Sequence, residues 1–245
     1  ATSTDIFGRS WGSPPTVGCA ETAGLPYVSA PQAQLTNSPI GFTMRASALG
    51  DQPLTYSWLR NGALLQNDGH LSGTQSTNLI ATGVSFADAR HYQFVASNSS
   101  GALTSSIPQV IIHCVNGAGD NPVAPYTSWN TAATNIQDAI DAAAAEEIVL
   151  VTNGIYATGG KVMGGGLTNR VALDKALTVI SVNGYTSTII EGHWDIATNG
   201  PAAVRCAWLT NGATLYGFTL RNGATGGADQ SGGGALLSDN ALVSN

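Results

Sequence analysis

Charged residues are scarce in this chain: Lys, Arg, Asp and Glu together make up 10% of its 245 residues, against roughly 25% in an ordinary soluble domain. Lys and Arg number only nine and form no basic patch, and the formal net charge is −6. Nucleic-acid binding depends on clustered cations that neutralise phosphates, so that class of partner is excluded. Long apolar runs are missing too. None approaches the roughly 18 residues that a membrane-spanning helix needs, and no span is expected. Cysteine is limited to three residues, too few for a disulfide scaffold. Cys19 and Cys114 flank the first half of the chain. Either they are bridged, closing a loop of roughly 100 residues that would contribute up to about 4 to 5 kcal/mol, or they are two separate thiols. The first residues, Ala1 to Asp5, carry no charged or apolar targeting signal, which fits a mature secreted protein or an internal fragment.

What the chain does contain is 43% hydrophobic residues and 30 glycines, in a background rich in Ala, Ser, Thr and Asn. The length accommodates two domains with real cores, under a neutral surface rich in hydroxyl and amide groups.

Between residues 26 and 113, strand-like runs are separated by turn signals such as Arg60-Asn61-Gly62 and Asn98-Ser99-Ser100-Gly101. Tyr56-Ser57-Trp58-Leu59 puts a large aromatic in a strand before a hairpin turn. Asp88-Ala89-Arg90-His91-Tyr92-Gln93-Phe94 puts a Tyr two residues before a bulky apolar position. This stretch resembles an immunoglobulin-like β-sandwich, and the resemblance implies Trp58 as the core tryptophan and Tyr92 as the tyrosine corner. The inter-sheet disulfide of that family is replaced by Phe94 and Ala46, a large and a small residue that can fill the same volume by packing. The resemblance implies a spacer or binding module without chemistry of its own. Residues 1–25 read as an irregular N-terminal segment and 114–133 as a linker.

From residue 134 the pattern changes. Thr134-Asn135-Ile136-Gln137 fits a capping box with Thr134 as N-cap and Gln137 reaching back. Ile136, Ala139, Ile140, Ala143 and Ala144 then recur at helical spacing, up to about Glu146. Short apolar runs follow at near-regular spacing and end in Gly and Asn: Ile148 to Val151, Ala176 to Val182, Thr188 to Gly192, Ala203 to Leu209, Leu215 to Gly223 and Ala235 to Leu237. Buried parallel strands favour Val, Ile and Leu, and sharp corners between them favour Gly and Asn. The pattern predicts a solenoid of strands. In order and residue type, 134–245 resembles the right-handed parallel β-helix proteins of the pectin-lyase-like superfamily, bacterial surface-protein type, which begin with an N-terminal cap helix. The expected fold is therefore all-β: an immunoglobulin-like β-sandwich followed by a right-handed parallel β-helix. Its last run, Ala241 to Asn245, begins another strand, and two expectations stand for it: further rungs beyond Asn245, or an open end where another subunit binds.

Ionisable groups are few along these runs. The densest cluster, Glu191-Gly192-His193-Trp194-Asp195, supplies two carboxylates, an imidazole and an indole within five residues. Paired carboxylates can act as general acid and base on a glycosidic bond, or hold calcium together with backbone carbonyls. The indoles of Trp194 and Trp208 can stack on sugar rings. The plainer alternative is a strand end at Glu191-Gly192 followed by a surface turn. No other His, Cys or carboxylate set has the spacing of a dedicated metal site. The sequence thus favours an extracellular, cell-surface structural or adhesive protein, self-associating through the exposed β-helix end or through residues 1–25, with glycans as a further partner. A polysaccharide lyase or glycoside hydrolase of the same superfamily is the alternative, with Glu191, His193 and Asp195 as its candidate catalytic residues.

Overall fold

The structure, a computed structural model, describes residues 24–37, 40–106, 109–163, 166–195, 200, 202–226 and 231–245. Cys19 and nearly all of the expected N-terminal segment lie outside the described residues. The chain divides into two compact units, 1–110 and 111–245.

The first unit contains β1 (Tyr27–Val28), β2 (Gln32–Asn37), β3 (Ile40–Arg45), β4 (Ala48–Leu49), β5 (Thr55–Arg60), β6 (Ala63–Leu64), β7 (Leu71–Ser72), β8 (Asn78–Thr82), β9 (Tyr92–Asn98) and β10 (Gly101–Thr104). One sheet has the order β2-β3-β8-β7, a second β10-β9-β5-β6, and β1 pairs with β4. Antiparallel sheets with one wet face need alternating residues. In β8, Leu79 and Ala81 are buried while Ile80 is exposed, and in β9 Tyr92, Phe94 and Ala96 are buried. Phe42 of β3 meets Tyr92 edge-on with ring centroids 5.8 Å apart, and Phe94 lies 5.1 Å from Trp58. The fully buried Trp58 satisfies its indole N–H on the Ser76 carbonyl at 2.8 Å. Asn61 and Gly62, with φ of 50° and 80°, close the β5–β6 hairpin, the left-handed pair that a two-residue turn between twisted strands requires.

The second unit contains β11 (Ile112–Val115), α1 (Ile136–Ala142), β12 (Ile148–Val151), β13 (Gly154–Tyr156), β14 (Lys161–Met163), β15 (Leu167–Leu173), β16 (Thr178–Ser181), β17 (Thr188–Glu191), β18 (Val204–Leu209), β19 (Thr214–Tyr216), β20 (Thr219–Arg221), β21 (Ala235–Leu237) and β22 (Leu242–Ser244). These strands form a β-solenoid of about three turns. The chain crosses three stacked sheets in succession, ordered β11-β12-β16-β19-β22, β13-β17-β20 and β14-β15-β18-β21. Among the described residues, pairing is parallel except where β14 folds back on β15 and at an isolated antiparallel bridge between His193 and Val204. Register stacks like on like: Val149, Val179, Leu215 and Val243 are partners on successive turns. They share one core with Ile190, Val171, Leu173, Ala207 and Leu209 from the other two sheets. Burial of each fully enclosed Val, Leu or Ile among them contributes roughly 1.5–3 kcal/mol.

Several features differ from the sequence expectation. β11, read as the end of the first half, pairs in parallel with β12, so the second unit begins before His113 and includes the stretch read as a linker. Helix α1 is shorter than expected. Asn135, not Thr134, is its N-cap and accepts the Asp138 N–H at 3.0 Å, and the helix stops at Ala142. Gln137 does not reach back to the cap. It is buried, donating to the Ala172 carbonyl at 3.2 Å and accepting the Ala172 N–H at 2.7 Å. Its amide thus takes the place of a neighbouring strand at that point of β15. Ile136, Ala139 and Ile140 enter the solenoid core.

Candidate functional site

The strands β13, β17 and β20 of the second solenoid sheet each hand the chain on to the third, and stacking brings their C-terminal ends to one corner. A cleft of about 600 Å³ opens there. Arg170 of β15, Glu191 at the end of β17, and Gly192, His193 and Trp194 after it line the cleft, with Ala157, Val204 and Asn222 completing the wall.

Glu191 and Arg221 are register partners on adjacent turns, which sets the carboxylate beside the guanidinium. Glu191 Oε1 accepts from Arg221 Nη2 and Nε at 3.2 and 3.3 Å, and from Asn222 Nδ2 at 2.7 Å. The Arg221 bond first, then that of Asn222, holds the Glu191 carboxyl below its ordinary value. Arg170 donates from Nε to the Glu191 backbone carbonyl at 2.8 Å and from Nη1 to the Gly159 carbonyl. The loop bearing that carbonyl can approach only as glycine: a Cβ on Gly159 would lie 2.6 Å from Asn135 Oδ1, and one on Gly160 2.8 Å from the Asn169 carbonyl oxygen. Burial pulls the Arg170 guanidinium below its usual value.

His193 exchanges both backbone hydrogen bonds with Val204, at 3.0 and 2.9 Å, and is itself exposed. Trp194 is 57% exposed, a flat apolar face presented to solvent at the rim.

Of the sequence candidates, the structure brings Glu191, His193 and Trp194 to the cleft. Asp195 is half-buried and does not line it. Trp208 is also half-buried and stands on β18, in register between Ala172 and Leu236 of the neighbouring turns, outside the cleft lining. Arg170 and Asn222 were not singled out from the sequence. The one signal for Arg170 is its place as a cation inside the otherwise mostly apolar run Leu167–Leu173.

Cys114, whose expected partner Cys19 lies outside the described residues, is buried, and burial pushes its thiol up to about 12. Cys206 is buried as well; its thiol donates to the Arg221 carbonyl at 3.1 Å, and burial raises it. Neither has the depressed value of a reactive thiol. Among the described residues, no group of three or more His, Cys, Asp or Glu side chains is placed to hold a metal ion.

A glycosidase acid needs a carboxyl raised above its usual value and a second carboxylate across the bond. Among the described residues, Glu191 is the one carboxylate lining the cleft, and its partners hold it ionised. The cleft is therefore equipped to hold a polar ligand against an aromatic face. No family model matches the chain, and no curated protein matches it.

Proposed function

We propose that this protein is an extracellular structural or adhesive module whose solenoid binds a glycan in the cleft at Trp194 without cleaving it. One observation carries the reading: the one carboxylate that lines the cleft among the described residues is locked by Arg221 and Asn222 in its ionised form, beside an exposed indole. The scarcity of charge and the hydroxyl-rich composition support an extracellular setting. The sandwich resemblance of the first unit is supported by the buried Trp58 and by Tyr92 Oη, which donates to the Asp88 carbonyl at 3.5 Å. The likeness of the second unit to right-handed pectin-lyase-like β-helices is supported by the parallel stacking and by α1, whose apolar face packs into the solenoid core as a cap helix would.

The test pairs binding with turnover. On a polysaccharide panel, the protein is expected to bind at least one glycan, with Trp194→Ala weakening it about tenfold, and to release no product over long incubation. Product release that disappears in Glu191→Gln would instead establish an enzyme.

A further inference from the structure

We propose that Asn183-Gly184 is a site of self-modification, at which the backbone nitrogen of Gly184 displaces the side-chain amide of Asn183. Asn-Gly occurs seven times in the chain. Three of these pairs, Asn116-Gly117, Asn153-Gly154 and Asn183-Gly184, follow β11, β12 and β16 within two residues, where the solenoid leaves its first sheet. Glycine lacks the Cβ that would shield its own nitrogen. That nitrogen attacks Asn183 Cγ, the bond from Cγ to Nδ2 breaks, and ammonia leaves with the Gly184 amide proton. The five-membered succinimide then takes up one water. Opening of its bond at Cγ gives aspartate, and opening at the backbone carbonyl gives isoaspartate, whose main chain runs through the former side chain.

Two features of the fold single out this pair. The first is the direction of the attacking nitrogen. Asn61, Asn211 and Asn222 are left-handed, with φ of 50°, 52° and 54°. Such a residue combines its positive φ with ψ of about +47°, which turns the next nitrogen to the side of the Cα–C bond opposite Cβ, out of reach of Cγ. Asn183 is not among the left-handed residues. The second is what the nitrogen is bonded to. Gly117 N–H donates to Tyr156 Oη at 3.3 Å, and Gly154 N–H to the Ser187 carbonyl at 3.0 Å. Each of those bonds must break before its nitrogen can attack. Among the described residues, the Gly184 N–H gives no hydrogen bond. Asn183 is exposed, so water reaches the ring, and its Nδ2 donates to Asn153 Oδ1 of the preceding turn at 2.7 Å. Conversion removes that donor and adds a negative charge at the corner. Asn199-Gly200 is the seventh pair, and Asn199 lies outside the described residues.

The experiment holds the whole chain in mildly alkaline buffer and follows each Asn-Gly pair by peptide mapping, with isoaspartate-specific methylation as a second readout. In the folded chain, Asn183 is expected to convert at least about tenfold faster than each of Asn61, Asn116, Asn153, Asn211 and Asn222, with isoaspartate among its products. In urea the six rates should come within about threefold of one another, since the folded backbone is what distinguishes them. Asn183→Gln, whose longer side chain cannot close a five-membered ring, should lose the signal at 183 and leave the other five pairs as they were. If that variant does not fold, the ranking within the wild type decides the matter. Conversion of Asn183 in the folded chain no faster than that of Asn153 would overturn the inference. So would aspartate at 183 without isoaspartate, which would mean direct hydrolysis of the side-chain amide.

Discussion

His70 has an oxygen at each ring nitrogen. Nδ1 lies 2.8 Å from the Thr82 carbonyl and Nε2 2.8 Å from Oδ1 of Asp88. Asp88 is fully buried, and its other oxygen accepts the Ser85 N–H at 2.9 Å. A carbonyl only accepts, so Nδ1 carries a proton, and a second proton on Nε2 adds a positive charge to that of Arg60, whose Nη1 lies 4.0 Å from the same carboxylate oxygen. Burial pulls the imidazole down, but the bonds to Asp88 and then Thr82 outweigh it and raise His70 above its ordinary 6.5. A group raised in the folded state contributes stability that is full below the unfolded value and is lost as pH rises through the folded one. The first unit is therefore expected to weaken from about pH 6.5 upward, and His70→Gln to remove that limb of the profile. Urea midpoints across that range, wild type against variant, check it. A second expectation concerns strain. The position two before β12, β19 and β22 is left-handed in each case, held by Glu146 at φ 67°, Gly212 at 73° and Asn240 at 61°. Glu146 is the one of the three whose side chain suits that conformation poorly. Glu146→Asn should stabilise the solenoid by roughly 0.5–1 kcal/mol, read from denaturant unfolding; a loss of stability would show that the Glu146 side chain makes a compensating contact.

At the scale of elements, the legible strands were those made of one residue class. Ile148–Val151, Thr178–Ser181 and Thr188–Glu191 each carry β-branched residues and lead into a Gly or Asn corner. β15 was not read as a strand because Asn169 and Arg170 interrupt it. The structure shows why they are tolerated: Asn169 is buried, with its amide bonded to the Lys161, Met163 and Leu167 carbonyls. β11 was not legible as one strand: 112–113 were read as the end of the sandwich and 114–115 as linker, since parallel pairing across a long connection leaves no local mark. The cleft was half-legible for a similar reason. Glu191, His193 and Trp194 are neighbours in sequence, whereas Arg170 and Asn222 arrive from 21 and 31 residues away on adjoining turns. Gln137 belongs to the same group of missed roles, because an amide inside a helical signature gives no hint that it will bond a strand. Replacing it by Leu leaves the Ala172 N–H and carbonyl without their partner. Gln137→Leu is expected to cost the solenoid about 1–3 kcal/mol, measured by urea unfolding, and an unchanged midpoint would mean that water substitutes for the amide.

At the scale of the whole molecule, the solenoid core among the described residues draws on the second unit, from Val115 to Val243, while Trp58, Tyr92 and Phe94 are buried within the first. The two units thus give two places to perturb stability separately. Trp58→Phe shrinks a fully buried ring and leaves the Ser76 carbonyl without its donor, at an expected cost of roughly 1–3 kcal/mol. Leu215→Ala opens a cavity in the third solenoid turn, at about 2–5 kcal/mol. In a solenoid each turn touches only its neighbours, so such damage should spread by nearest-neighbour coupling and not uniformly. Amide exchange is expected to quicken in β16, β19 and β22 most strongly after Leu215→Ala, less in β12, and least in β11, with β5 and β9 unchanged. Trp58→Phe should do the reverse, quickening β5 and β9 alone. Faster exchange throughout the chain after either substitution would show instead that one cooperative transition spans both units.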